Sequence, residues 1–182
     1  MAKPLANLGL FVAIYPPPEH VARLLAMLKE IDLPRHRPTP ADQIHLTLHF
    51  IGDMPESEME STYESVERSA AGIGPHELAI ERLITLPERG PSRLVAAETS
   101  SPPQLLEIQR RLAMRLAVKP SNRDYQPHIT LTRFAAPDSR LRIEQAIADE
   151  LRFTVDRLHL MRSTLRSEGA VHHLVREFPL TP

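Results

Sequence analysis

At 182 residues, 42% of them hydrophobic, the chain is long enough to bury one substantial core and has the composition of a folded protein. A net charge of -1 and an isoelectric point near 6.8 exclude a strongly basic surface that grips nucleic acid through many phosphates, although a small local phosphate site stays open. The absence of cysteine excludes disulfides and thiolate metal centres and fits a reducing cytoplasm; no apolar run approaches the ~18 residues of a membrane span, and Met1 to Leu10 lacks a signal-peptide core.

In chain order, Leu8 to Ile14 reads as a buried strand that Pro16-Pro17-Pro18 ends while setting up a helix with Val21, Leu24, Leu25, Leu28 and Ile31 at helical spacing. Pro34 to Pro40 reads as a surface loop, and Gln43 to Ile51 as a strand closed by Gly52-Asp53. Met59, Tyr63, Val66 and Ala70 mark a second helix that stops near Gly72, and Leu78 to Leu86 a further strand. Arg93 to Glu98 then reads as a strand, and Leu105, Ile108, Leu112 and Leu116 as a helix leading to a strand at His128. Asp138 or Ser139 is expected to cap a helix containing Leu141, Ile143 and Ile147, and Phe153–Leu160 with Val171–Phe178 to form a closing pair of strands.

Both halves thus run strand, helix, strand, helix, strand. Leu8 to His45 spans 37 positions and Arg93 to His128 spans 35, a spacing that reads as one repeated unit. The third element of each unit carries the same motif, His45-Leu46-Thr47-Leu48 and His128-Ile129-Thr130-Leu131. Side chains alternate along a strand, so His45 shares a face with Thr47, and His128 with Thr130. An α+β duplication would set the two motif strands across one cleft. There one imidazole can remove a proton from an attacking oxygen, the other can protonate a leaving oxygen, and the hydroxyls can hydrogen-bond a phosphate between them. With nine His and ten Thr, chance alone yields roughly half an H-x-T, so the matched positions carry more weight than the triplets themselves.

Arg133 is a further candidate, a cation for the phosphate, but strict alternation puts it on the face opposite His128 unless a strand end or bulge intervenes. His49 shares the parity of His45 and reads as a polar residue supporting that face; Phe11 and Phe50 could stack a base but read as core. His172-His173 lacks the companion carboxylate or cysteine spacing of a metal site, so neither metal nor cofactor is expected.

Through these motifs the chain resembles the LigT-like members of the 2H phosphoesterases, RNA 2',3'-cyclic phosphodiesterases once described as 2'-5' RNA ligases. The resemblance rests on Leu10-Phe11-Val12-Ala13-Ile14, on His45 through Asp53, on Pro127 through Arg133, and on an ending from Glu168-Gly169-Ala170 to Phe178-Pro179-Leu180. Departures are Gly9 where the family often has Arg, and the His172-His173 region where an aromatic often stands. The resemblance implies one domain over residues 1–182 made of two pseudo-symmetric halves, about 1–90 and 91–182, with antiparallel sheets facing a central cleft and helices outside. It also implies metal-independent hydrolysis of 2',3'-cyclic phosphate ends to 2'-phosphates, with His45 as proton donor, His128 as acceptor and Thr47, Thr130 and Arg133 holding the phosphate. The expected partners are RNA ends or cyclic nucleotides, with no membrane; the expected state is a cytoplasmic monomer. RNA ligation, action on another cyclic nucleotide, and a non-catalytic RNA-end binding module are the alternatives.

Overall fold

The computed structural model describes residues 7–116, 124–166 and 169–182; Glu168, where the closing segment of the resemblance begins, lies outside them. The elements are β1 (Asn7–Ile14), α1 (Pro18–Lys29), β2 (His36–Pro38), β3 (Leu46–Gly52), α2 (Met59–Ala70), β4 (His76–Leu86), β5 (Ser92–Thr99), α3 (Pro103–Leu116), β6 (His128–Asp138), β7 (Glu144–Val155), β8 (Arg157–Arg166) and β9 (Gly169–Pro179). The fold is α+β. Pro18 starts α1 because the missing N–H of a first-turn proline has no helical partner to lose, and Val21, Leu24 and Leu28 form its buried stripe. Leu105, Ile108, Leu112 and Leu116 do the same for α3.

The strands run in the order β7-β4-β5-β6-β3-β1-β8-β9, with every pairing antiparallel and β2 added to the edge of β6. Between β6 and β3 the ladder narrows to one residue pair, Leu46 with Ile129, so the sheet divides into two lobes, β7-β4-β5-β6 with β2 and β3-β1-β8-β9, joined through the two motif strands. Each lobe takes strands from both halves of the chain: β4 joins β5 and β6, while β8 and β9 join β1 and β3. The helices cross over as well, α1 packing on β6 and α3 on β3. One apolar cluster, including Leu24, Leu46, Leu48, Val66, Leu105, Leu112, Ile129 and Leu131, fills the space between helices and sheet. Burying each Leu or Ile there contributes roughly 1.5–3 kcal/mol.

The structure corrects three expectations. No helix forms around Leu141, Ile143 and Ile147. The Asp138 carboxylate instead accepts the N–H groups of Arg140 and Leu141 in a turn, and residues 144–155 form β7 along the open edge of β4. A short helix is marginal by itself, and a ladder from Ile84–Glu144 to His76–Val155 outweighs it. Second, Phe153–Leu160 is not one strand: it breaks at Asp156, leaving Phe153 and Val155 in one lobe and Leu158 and Leu160 in the other. The closing hairpin is β8–β9. Third, the proline-rich stretch is not all loop, since His36–Pro38 pairs with Thr132–Phe134; an edge strand tolerates proline because its outward N–H is not needed.

Gly9 has φ +91°, and a Cβ there would sit 2.7 Å from Asp53 N and closer still to the Gly52 carbonyl. Both conformation and contact therefore require glycine. Gly9→Ala is expected to lower stability by about 3 kcal/mol, read from the midpoint of urea unfolding; an unchanged midpoint would contradict the packing described.

Candidate active site

The register through Leu46 and Ile129 sets His45 across from Thr130 and Thr47 across from His128, so the two motifs are related by an approximate two-fold through that pair. Leu46, Leu48, Ile129 and Leu131 turn into the core, which obliges the alternate residues to face the other way. His45, Thr47, His128 and Thr130 accordingly line one cavity of about 550 Å³. The two imidazoles are anchored alike. His45 Nδ1 is 2.7 Å from the Gln43 carbonyl and His128 Nδ1 is 2.8 Å from the Gln126 carbonyl, so each ring donates from Nδ1 and turns Nε2 to the cavity. Thr47 Oγ1 lies 3.0 Å from His45 Nε2 and can donate to it. Tyr125 straps the two strands together, its hydroxyl donating to the Thr47 carbonyl at 2.8 Å.

Beyond each threonine the ladder carries one extra residue. Between Thr47 and His49 it is Leu48, where Val12 and Ala13 are consecutive on β1; between Thr130 and Thr132 it is Leu131, where Val95 and Ala96 are consecutive on β5. Each bulge reverses the alternation that follows. Arg133 is thereby brought to the cavity, and so is Phe50, which is 71% exposed and 5.9 Å from the Phe11 ring. Phe50 is not core, contrary to the expectation from parity. His49 and Thr132 rotate to the helix side instead; burial lowers the His49 pKa, partly offset by a hydrogen bond with the Leu116 backbone. His49 therefore does not share the face of His45. Phe11 is the buried floor of the cleft, 5.0 Å from the His45 ring.

His172 also lines the cavity, its ring edge-on to His45 at 5.2 Å and to Phe11 at 4.9 Å. It stands across from Ser163 on β8, while His173 stands across from Arg162 on the adjacent, oppositely facing position. Burial lowers the His45 pKa to about 4, outweighing the Gln43 carbonyl that favours the charged form; the charges of His172, Arg133 and His128 lower it further. Burial, with the charge of Asp42, pushes the Tyr15 phenol up to about 12, so this ring, 5.4 Å from His45, stays neutral. Behind His128, the Gln126 side-chain amide donates to Glu88 and Glu98, holding the segment whose carbonyl anchors the ring. Among the described residues, no group of three or more His, Cys, Asp or Glu is placed to hold a metal ion.

All five candidate residues, His45, Thr47, His128, Thr130 and Arg133, meet at this cavity. Sequence reasoning missed Gln43 and Gln126 as anchors, although the repeated spacing Gln-x-His-x-Thr-Leu was there to be read, and it missed the place of His172. Residues 16–166 match the family described as the 2'-5' RNA ligase superfamily. The chain belongs to that superfamily. It is 29% identical over 180 residues to the RNA 2',3'-cyclic phosphodiesterase of Thermus thermophilus, covering 94% of this chain and 89% of the relative. It is 27% identical over 170 residues to the enzyme of that name from Methanothermobacter thermautotrophicus, covering 89% and 91%. A crystal structure of a Thermus thermophilus protein superposes with a TM-score of 0.79 at 26% identity over 96% of this chain and 98% of the other. E. coli LigT complexed with 3'-AMP gives 0.82 at 23% identity over 97% and 100%, a likeness of fold. The LigT-like resemblance read from the two motifs is thereby borne out.

The lowered His45 has a measurable sign. Its folded pKa lies below the unfolded value near 6.5, so its neutral form is favoured by folding, and that contribution is lost as pH falls from about 6.5 towards 4. His45 alone is expected to remove up to about 3 kcal/mol over that window. In a histidine NMR titration of the free protein, its midpoint should fall near 4; a midpoint at the ordinary value of about 6.5 would contradict the burial assigned to it.

Proposed function

We propose that the chain is an RNA 2',3'-cyclic phosphodiesterase that opens the cyclic phosphate by two-histidine acid-base catalysis without a metal ion. The observation that carries it is the pair of imidazoles, each donating Nδ1–H to a backbone carbonyl two residues earlier and each turning Nε2 to one cavity that also holds Thr47, Thr130 and Arg133. The names borne by the relatives from Thermus thermophilus and Methanothermobacter thermautotrophicus support the same substrate.

In this reaction, His128 Nε2 takes a proton from water as the water oxygen bonds to phosphorus. The bond from phosphorus to the ribose 3' oxygen breaks, and that oxygen takes the proton held on His45 Nε2, leaving a 2'-phosphate. Thr47 and Thr130 hydrogen-bond the phosphate oxygens without adding a titrating charge, and Arg133 balances the negative charge that builds on them. His45 is neutral in the free protein at pH 7. The anionic phosphate seated against it provides the opposite charge that raises its pKa, so substrate binding loads the acid. Acid-base assistance of this kind is worth roughly 10² to 10⁴ in rate.

The two bulges give the near-symmetric site a direction. At the same position after each motif stand Phe50 on one side and Arg133 on the other. Phe50 offers a face on which the terminal base stacks, while Arg133 attracts the phosphate. The substrate is thus presented with its 3' oxygen towards His45. One chain provides both imidazoles, and the protein acts as a single domain and a monomer; a cysteine-free sequence accords with work in the cytoplasm.

Incubating the protein with a nucleoside 2',3'-cyclic phosphate in EDTA is expected to give turnover to the 2'-phosphate. His45→Ala and His128→Ala should each lose at least about 10²-fold in kcat, and Phe50→Ala should raise KM about tenfold with kcat little changed. A requirement for added metal, a 3'-phosphate product, or binding without turnover would contradict the proposal.

A further inference from the structure

The edge strand β2 places a second arginine at the same cavity. Arg37 stands across from Arg133 in the β2–β6 register, and both side chains line the space that holds His45 and His128. The strand is held at both ends, Thr39 donating its N–H to the Leu131 carbonyl at 2.9 Å and Ala135 donating to the Arg35 carbonyl at 2.8 Å. Arg37 is therefore positioned by a ladder and not by a loose loop.

Like charges directly opposite on neighbouring strands destabilise a sheet. The usual remedy is a carboxylate between them, yet among the described residues no carboxylate pairs with Arg37 or Arg133. The Arg37 guanidinium lies close to the start of β9. Gly169 opens β9 with φ +125°, and a Cβ on it would collide with the Arg37 Nη2. Arg37 thus reaches from the β6 edge across to the start of β9, whose next residues, Ala170 to His172, also line the cavity. An exposed pair of cations on one ladder, facing one pocket and without a carboxylate partner among the described residues, is suited to more than one anion.

A nucleoside 2',3'-cyclic phosphate brings one phosphate, which Arg133 and the motif threonines take. An RNA end brings another, the diester that joins the terminal nucleotide to the one before it. We propose that Arg37 binds this upstream phosphodiester, so that an RNA end is preferred over a free cyclic nucleoside. The inference rests on the phosphodiesterase reading above and adds to it a determinant of substrate length.

The test compares wild type, Arg37→Gln and Arg37→Lys on two substrates, a trinucleotide ending in a 2',3'-cyclic phosphate and a nucleoside 2',3'-cyclic phosphate with a free 5'-hydroxyl. For the trinucleotide, Arg37→Gln should lose about tenfold in kcat/KM, with Arg37→Lys in between, as expected for one charge-assisted contact. For the cyclic nucleoside the change should stay within about twofold, since that substrate lacks the contacted phosphate. Equal losses on both substrates, or no loss on either, would overturn the proposal. Binding of a trinucleotide with a 2'-phosphate end, followed against salt concentration, separates the two levels of inference. Arg37→Gln should lower the slope of log K against log salt by about 0.7, the share of one phosphate contact on a single strand. Should wild type turn over neither substrate, the phosphodiesterase reading fails while the salt slope still decides whether Arg37 holds an RNA phosphate; an unchanged slope would refute that contact.

Discussion

Everything at this site depends on the place where two lobes share one residue pair, Leu46 with Ile129. Their side chains are fully buried in the common core, and that burial obliges His45, Thr47, His128 and Thr130 to turn together into one cavity. A longer ladder between β3 and β6 would close the sheet and fill the cleft. With no ladder, the two imidazoles would belong to separate bodies. The single pair holds them in one frame while leaving room for a phosphate, and the Tyr125 hydroxyl on the Thr47 carbonyl reinforces it at the point of divergence.

Near-symmetry supplies the chemistry, and departures from it supply direction. The Gln43 and Gln126 carbonyls impose the same tautomer on both rings, so nothing in their anchoring distinguishes one ring from the other. The surroundings of His45 are particular to it: the ring is packed by Phe11, Tyr15 and His172, and burial with nearby positive charge lowers its pKa. The bulges at Leu48 and Leu131 then place an aromatic ring on one flank and a guanidinium on the other. One extra residue per strand is enough, because parity decides which face a side chain meets.

Much of this was legible in the sequence, for physical reasons that can be named. The apolar second and fourth positions of each motif declared the buried face, so alternation paired His45 with Thr47 and His128 with Thr130, and the repeated order of elements set the two pairs across one cleft. Arg133 depended on a bulge that alternation could not locate, and for the same reason Phe50 read as core and His49 as supporting the face of His45. The helix expected around Ile143 failed because its apolar spacing suits a strand edge as well, and only β4 decides between them. The place of His172, against Phe11 and His45, and the short strand carrying Arg37, paired with Arg133, stayed hidden because contacts more than 90 residues apart in the chain are set by topology and not by local pattern.

The central claim is that one phosphate is held between His45 and His128 across the pseudo-two-fold, with the base on Phe50. A crystal structure with a nucleoside 2'-phosphate bound tests it most directly. The account predicts phosphate oxygens within hydrogen-bond distance, about 2.6–3.2 Å, of Nε2 of both imidazoles, and the base stacked on Phe50. A phosphate bound to only one imidazole, or held elsewhere on the surface with the cavity occupied by neither phosphate nor base, would contradict it.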